Sequence, residues 1–164
     1  MRYLVKERIF SIGDNFTIQD EMGMPRYEVR SKIFTVGNKL TIYDMNGKTL
    51  AYIEQKIFKL LPEYYIYLDG RMVARVKREF TLFKPRFNID SELGSFRVEG
   101  DVLAHDFCIL KNNWEVARVA KKWISFSDTY SVDISDSENQ PVMLALVIVL
   151  DQVLYDNRGG HSNN

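Results

Sequence analysis

The chain repeats itself, and this constrains its fold more than any other feature. Residues 8–31 lie on residues 32–55 without a gap: Ile9 on Ile33, Phe10 on Phe34, Gly13 on Gly37, Thr17-Ile18 on Thr41-Ile42, Asp20 on Asp44 and Gly23 on Gly47. Coincidence of turn residues and apolar residues together marks a structural unit duplicated in tandem. The pattern then loosens. Asp69-Gly70 leads into Val73-Ala74-Arg75-Val76, Asp90 to Gly94 into Phe96-Arg97-Val98, and Asn113 into Val116-Ala117-Arg118-Val119. Each unit sets an Asp/Asn-Gly turn between segments of period two, such as Leu40-Thr41-Ile42-Tyr43 and Ala74-Arg75-Val76-Lys77. That combination predicts β-hairpins.

Five such units give ten strands, and the stretch from Ile124 to Ile134 adds one or two more. A mainly β chain of about a dozen sequential antiparallel strands leaves edges unpaired unless the sheet curls into a closed barrel. A barrel of that size has a lumen too wide for wall side chains to fill. The run Pro141 to Leu150 is apolar throughout and offers a filling. A strand is supported by Val147-Ile148-Val149, and a membrane anchor by hydropathy alone. A buried central helix, about 140–155, is favoured by length, by Asn139 or Ser137 as a cap and by Pro141 in the first turn. The expected organisation is one domain over 1–156 and a disordered tail over 157–164.

Composition narrows the functional classes. At 46% hydrophobic and 27% charged, the 164 residues suit one packed domain and no disordered segment. Lys+Arg and Asp+Glu balance at 22 each, so no global field draws the chain to nucleic acid, which is an unexpected partner. Cys108 is the single cysteine, which excludes an internal disulfide and fits a reducing compartment. Charges break up Met1 to Phe10, unlike a signal peptide, and the apolar run is too short to span a bilayer. A cytoplasmic location with no transmembrane segment is expected.

The residues resemble a known family. Lys32-Ile33-Phe34, Gly37, Leu40-Thr41-Ile42-Tyr43-Asp44, Gly47, Leu50-Ala51-Tyr52-Ile53 and Lys56 look like the LURP-one-related (LOR) family, as do Trp123, Asp128-Thr129-Tyr130 and the apolar C-terminal segment. The resemblance covers roughly residues 5–155. That family belongs to the tubby C-terminal-like superfamily, with the phospholipid scramblases. The resemblance implies a twelve-stranded barrel around a hydrophobic C-terminal helix. Tubby domains bind phosphoinositide headgroups, but their basic ligands do not map onto this sequence position by position. Scramblases carry Cys-rich and Pro-rich N-terminal extensions, which this chain lacks.

Candidate sites are few. Glu28, Tyr52, Arg75, Arg97 and Arg118 each precede a core anchor (Val29, Ile53, Val76, Val98, Val119), so they point outward on their strands. Arg75, Arg97 and Arg118, joined by Lys77 and Lys122, form an expected outward row able to bind phosphate or carboxylate. The plainer and favoured reading is a solvated face paired with acids such as Glu54, Glu79 and Glu99. Lys84 and Arg86, beside Phe80 and Phe83, form a second basic patch. The favoured alternative there is a strand with inward aromatic residues and a proline-broken loop. His105 and Cys108 do not make a metal or nucleophile site, because a separation of three on a strand sends them to opposite faces. Asp128 and Asp133 are weak calcium candidates, since an extended Thr-Tyr-Ser-Val spreads them apart.

No cofactor is expected, and no catalytic motif is present. The expected function is a non-enzymatic binding or scaffold domain for an anionic phospholipid, a membrane surface or a protein partner. The alternative is a carrier of an apolar molecule in the lumen.

Overall fold

A computed structural model describes residues 1–6, 15–32, 37–57, 59–121 and 129–155, the side chains of Lys6 and Tyr155 excepted. Lys122, Asp128 and the 157–164 tail lie outside the described residues. Twelve strands form one antiparallel sheet: β1 Arg2–Lys6, β2 Phe16–Asp20, β3 Pro25–Ser31, β4 Lys39–Asp44, β5 Thr49–Lys56 and β6 Glu63–Leu68, then β7 Arg71–Glu79, β8 Arg86–Ser91, β9 Phe96–Asp101, β10 Asp106–Lys111, β11 Trp114–Lys121 and β12 Thr129–Ile134. Helix α1, Gln140–Tyr155, follows.

The repeat is visible as repeated turn chemistry. Asp20 Oδ1 accepts from the Met22 and Met24 amides, and Asp44 Oδ1 accepts from Asn46 and Lys48 in the same way. Gly23 and Gly47 then adopt φ of 79° and 82°, a region open to glycine at little cost. Each of four hairpins also shifts register just after a core isoleucine: Ile18, Ile42, Ile66 and Ile109. A bulge sets two residues against one. This is why Val73-Ala74 and Val116-Ala117 are buried as adjacent pairs in strands that otherwise alternate.

Four paired hairpins supply β2–β3, β4–β5, β6–β7 and β10–β11, while the fifth expected hairpin, across the Asp90 to Gly94 turn, is not hydrogen-bonded among the described residues: β8 pairs only with β7 and β9 only with β10. The N-terminal strand β1 and β12 pair with one another, Tyr3 against Val132, and join the two arms of the sheet. Strands β8 and β9 are the two ends of the sheet order, and they come together without a hydrogen-bonded ladder, leaving the barrel nearly closed. The Glu92–Ser95 connection spans this seam.

Helix α1 fills the lumen. Asn139 caps it, its Oδ1 accepting from the Val142 amide at 3.1 Å. Val142 to Leu150 are each at most 1% exposed, so the segment is buried on every side, against β5, β6, β7 and β12 among others. The anchors Val29, Ile53, Val76 and Val119 point into the same core. At about 0.8 kcal/mol per buried CH₂, the helix and its wall are a principal source of stability.

Candidate functional site

The outward wall is governed by cross-strand register. On the β9–β10–β11–β12–β1 side, Glu99, Cys108, Arg118, Asp133 and Arg2 stand level across five strands. Charges of opposite sign meet as neighbours both along a strand and across strands. Along β11 Arg118 binds Glu115, along β9 Arg97 binds Glu99 at 2.8 Å, and across β1 and β12 Arg2 holds both oxygens of Asp133 at 2.6 and 3.1 Å. Across the seam, Lys39, Glu54, Tyr65, Arg75 and Asp90 form a second level row, where Arg75 binds Asp90. The hydrogen bond to Asp90, and then its charge, raises the Arg75 guanidinium pKa; Glu115 acts likewise on Arg118.

Arg75, Arg97 and Arg118 do point outward, as their spacing predicts, and each already has a carboxylate. The acids of the 133–138 stretch are also taken. Asp133 is held by Arg2, Asp136 by the Met1 amino group at 2.8 Å, and Glu138 by Lys111 at 2.9 Å. No cluster able to hold a metal ion occurs among the described residues.

The second basic patch is different. Lys77 and Arg86 lie on the outward face of β7 and β8, Arg78 sits at the rim, and Lys84 belongs to the β7–β8 loop. None of the four has an ion pair within 4 Å among the described residues. Glu79 stands opposite Arg86 in register, yet no pair forms. A groove of about 360 Å³ runs here, lined by the cations Arg75, Lys77 and Arg78, the acids Glu79 and Asp90, and Leu61, Phe80 and Asn88. Glu63, only 5% exposed, lies 3.9 Å from Lys59 and 4.0 Å from Arg75, which lines the groove. The expectation of inward aromatic residues here does not hold. Strand β7 ends at Glu79, and Phe80 and Phe83 are 81% and 94% exposed.

Cys108 faces outward on β10 between Glu99 and Arg118. Burial, and then the charge of Glu115, raises its pKa, so the thiol carries no local activation. His105 is turned away from it. The imidazole lies inside the barrel end, where Nε2 donates to Asp151 Oδ1 of α1 at 2.8 Å and the ring stacks on Tyr130 with centroids 4.6 Å apart. The next residue, Gln152, is 1% exposed with neither carboxamide atom hydrogen-bonded. The sequence reading weighed His105 only against Cys108 and missed this pair and Glu63. A carboxylate inside an apolar helix was the available signal, since a buried charge demands a partner.

Comparison with known proteins places this architecture. The model of the LOR (LURP-one-related) family matches residues 1–151. An uncharacterised Bacillus subtilis (strain 168) protein, YxjI, is 35% identical over 98 residues, covering 60% of this chain and 59% of that protein's length. The X-ray structure of an Arabidopsis thaliana protein superimposes with a TM-score of 0.68 at 19% identity, over 93% of this chain and 90% of that one, which supports the fold alone. The chain belongs to the LURP-one-related family.

Proposed function

We propose that the chain is a non-enzymatic binding domain that holds an anionic partner on the β7–β8 face. One observation carries the reading. Lys77 and Arg78 line a groove, Lys84 and Arg86 stand on the adjoining loop and strand, and none of the four has an ion pair among the described residues, whereas Arg75, Arg97 and Arg118 are each bound to an acid. A guanidinium engages phosphate or carboxylate through paired donors and lysine adds a point charge. An anion engaging these four side chains displaces none of their own salt bridges among the described residues. The resemblance to the tubby C-terminal-like superfamily supports an anionic headgroup as the ligand class. Cys108, with its raised pKa, supports a role without thiol chemistry. The lumen-carrier alternative would need the space that α1 occupies. A cytoplasmic setting belongs to the same reading.

Calorimetric titration with inositol hexakisphosphate, a soluble polyphosphate, is the test. Binding that weakens steeply with salt and is lost in Lys77→Gln/Arg78→Gln/Lys84→Gln/Arg86→Gln, but kept in Arg97→Gln/Arg118→Gln, is the expected result. Absence of binding at low salt, or equal loss in both variants, refutes it.

A further inference from the structure

Two loops beside the basic groove expose large apolar side chains at the same end of the barrel. In the β5–β6 loop Leu60 is 100% exposed; in the β7–β8 loop Phe80, Leu82 and Phe83 are 81%, 83% and 94% exposed. Elsewhere on the described surface, exposed apolar residues such as Met45 and Leu103, in separate turns, and Trp114, at the start of β11, stand singly, which is ordinary. These two loops are instead adjacent. The Arg78 amide donates to the Pro62 carbonyl at 3.2 Å, and Leu61 and Phe80 line one groove. The β7–β8 tip is also shaped: Thr81 Oγ1 donates to the Lys84 carbonyl at 2.7 Å and closes a turn that holds Leu82 and Phe83 outward. Exposing this much apolar surface is unfavourable in water, so an apolar contact elsewhere is its natural complement.

The charges around the tips select the partner. Lys59, Lys84 and Arg86 are all exposed and flank Leu60, Leu82 and Phe83. Lysine is depleted at protein–protein interfaces. Aromatic and leucine side chains fringed by Lys and Arg are the composition that enters the headgroup region of an anionic bilayer. No described helix is long and apolar enough to cross a membrane, so the association would be at the surface.

We propose that the β5–β6 and β7–β8 loops are a membrane-docking edge: Leu60, Phe80, Leu82 and Phe83 enter the interface of an anionic bilayer while Lys59, Lys84 and Arg86 meet its headgroups. This rests on the anion-binding reading and names the bilayer as the source of the anion. Co-sedimentation with vesicles of phosphatidylcholine, with and without phosphatidylserine, tests it. The unsubstituted protein sediments with the anionic vesicles. Leu82→Ser/Phe83→Ser, at positions too exposed to matter for folding, loses roughly tenfold or more in vesicle partitioning and keeps its affinity for inositol hexakisphosphate. Lys84→Gln/Arg86→Gln loses about fivefold per charge at low salt. A Phe83→Trp variant shifts its emission to the blue on anionic vesicles, relative to the unsubstituted chain. Vesicle binding unchanged in Leu82→Ser/Phe83→Ser overturns the insertion and leaves the anion site standing. Failure to sediment with any vesicle overturns the bilayer as partner, and if hexakisphosphate binding also fails, both readings fall. Concentration-dependent dimerisation abolished by Leu82→Ser/Phe83→Ser would assign the loops to a second copy instead.

Discussion

Replacing Leu146 with alanine tests the role of α1 as the core of the barrel. Leu146 is 0% exposed and lies in the middle of the apolar run. The change removes the equivalent of three buried carbon groups, about 2.5 kcal/mol at ~0.8 kcal/mol each. The wall is a hydrogen-bonded sheet and cannot collapse freely onto the gap, so the cavity adds to this, giving about 2–5 kcal/mol in all. For a chain of this size 1 kcal/mol moves Tm by about 2–4 °C, so a drop of roughly 4–20 °C is expected. Differential scanning calorimetry reads it directly. Leu146→Asp goes further, because it buries an unpaired charge, and no soluble, cooperatively folding protein is expected from it. A Leu146→Ala protein melting within a degree or so of the parent, or a well-folded Leu146→Asp protein, would contradict the buried helix.

Three further outcomes follow from the geometry. His105→Ala strands the Asp151 carboxylate inside the barrel and costs about 3–5 kcal/mol in chemical denaturation, whereas His105→Ala/Asp151→Leu recovers part of the loss; a neutral His105→Ala would show that the pair holds nothing. Cys108, whose pKa is raised by burial and by Glu115, reacts with iodoacetamide at neutral pH more slowly than a free thiol, and faster alkylation would reveal an activating group. Glu54 has its pKa lowered, first by the Lys56 hydrogen bond, so its contribution to stability is present above the unfolded carboxyl pKa and lost as pH falls through the folded one; Glu54→Gln flattens the acid limb of the stability–pH curve, and an unchanged limb would refute this.

How much of this was legible in the sequence depends on the range of the interaction. The hairpins are written locally, in Asp20, Gly23, Asp44 and Gly47 and in period-two alternation, and four of the five stand as expected; β8 and β9 instead form the unpaired seam. The helix is equally local, with Asn139 and Pro141 at its start and an unbroken apolar run behind them. The His105–Asp151 bond joins residues 46 apart in sequence, and no local pattern announces it. Alternation also fixed the outward direction of Arg75, Arg97 and Arg118 but gave no guide to their occupancy. Arg75 meets Asp90 only because β8 folds back on β7 in that register. The exposed tips escaped for the opposite reason. Phe80 and Phe83 read as core aromatics by composition, and only the end of β7 at Glu79 and the turn closed by Thr81 carry them outside.

The central claim is that the β7–β8 face and its neighbouring loops are where this domain meets an anionic partner. Backbone amide NMR shifts recorded while inositol hexakisphosphate is added read the location residue by residue. Perturbations are expected to concentrate in residues 59–63 and 75–90, with Arg97, Arg118 and the α1 amides unmoved. Perturbations centred on β9–β11, or spread evenly over the barrel, would contradict it.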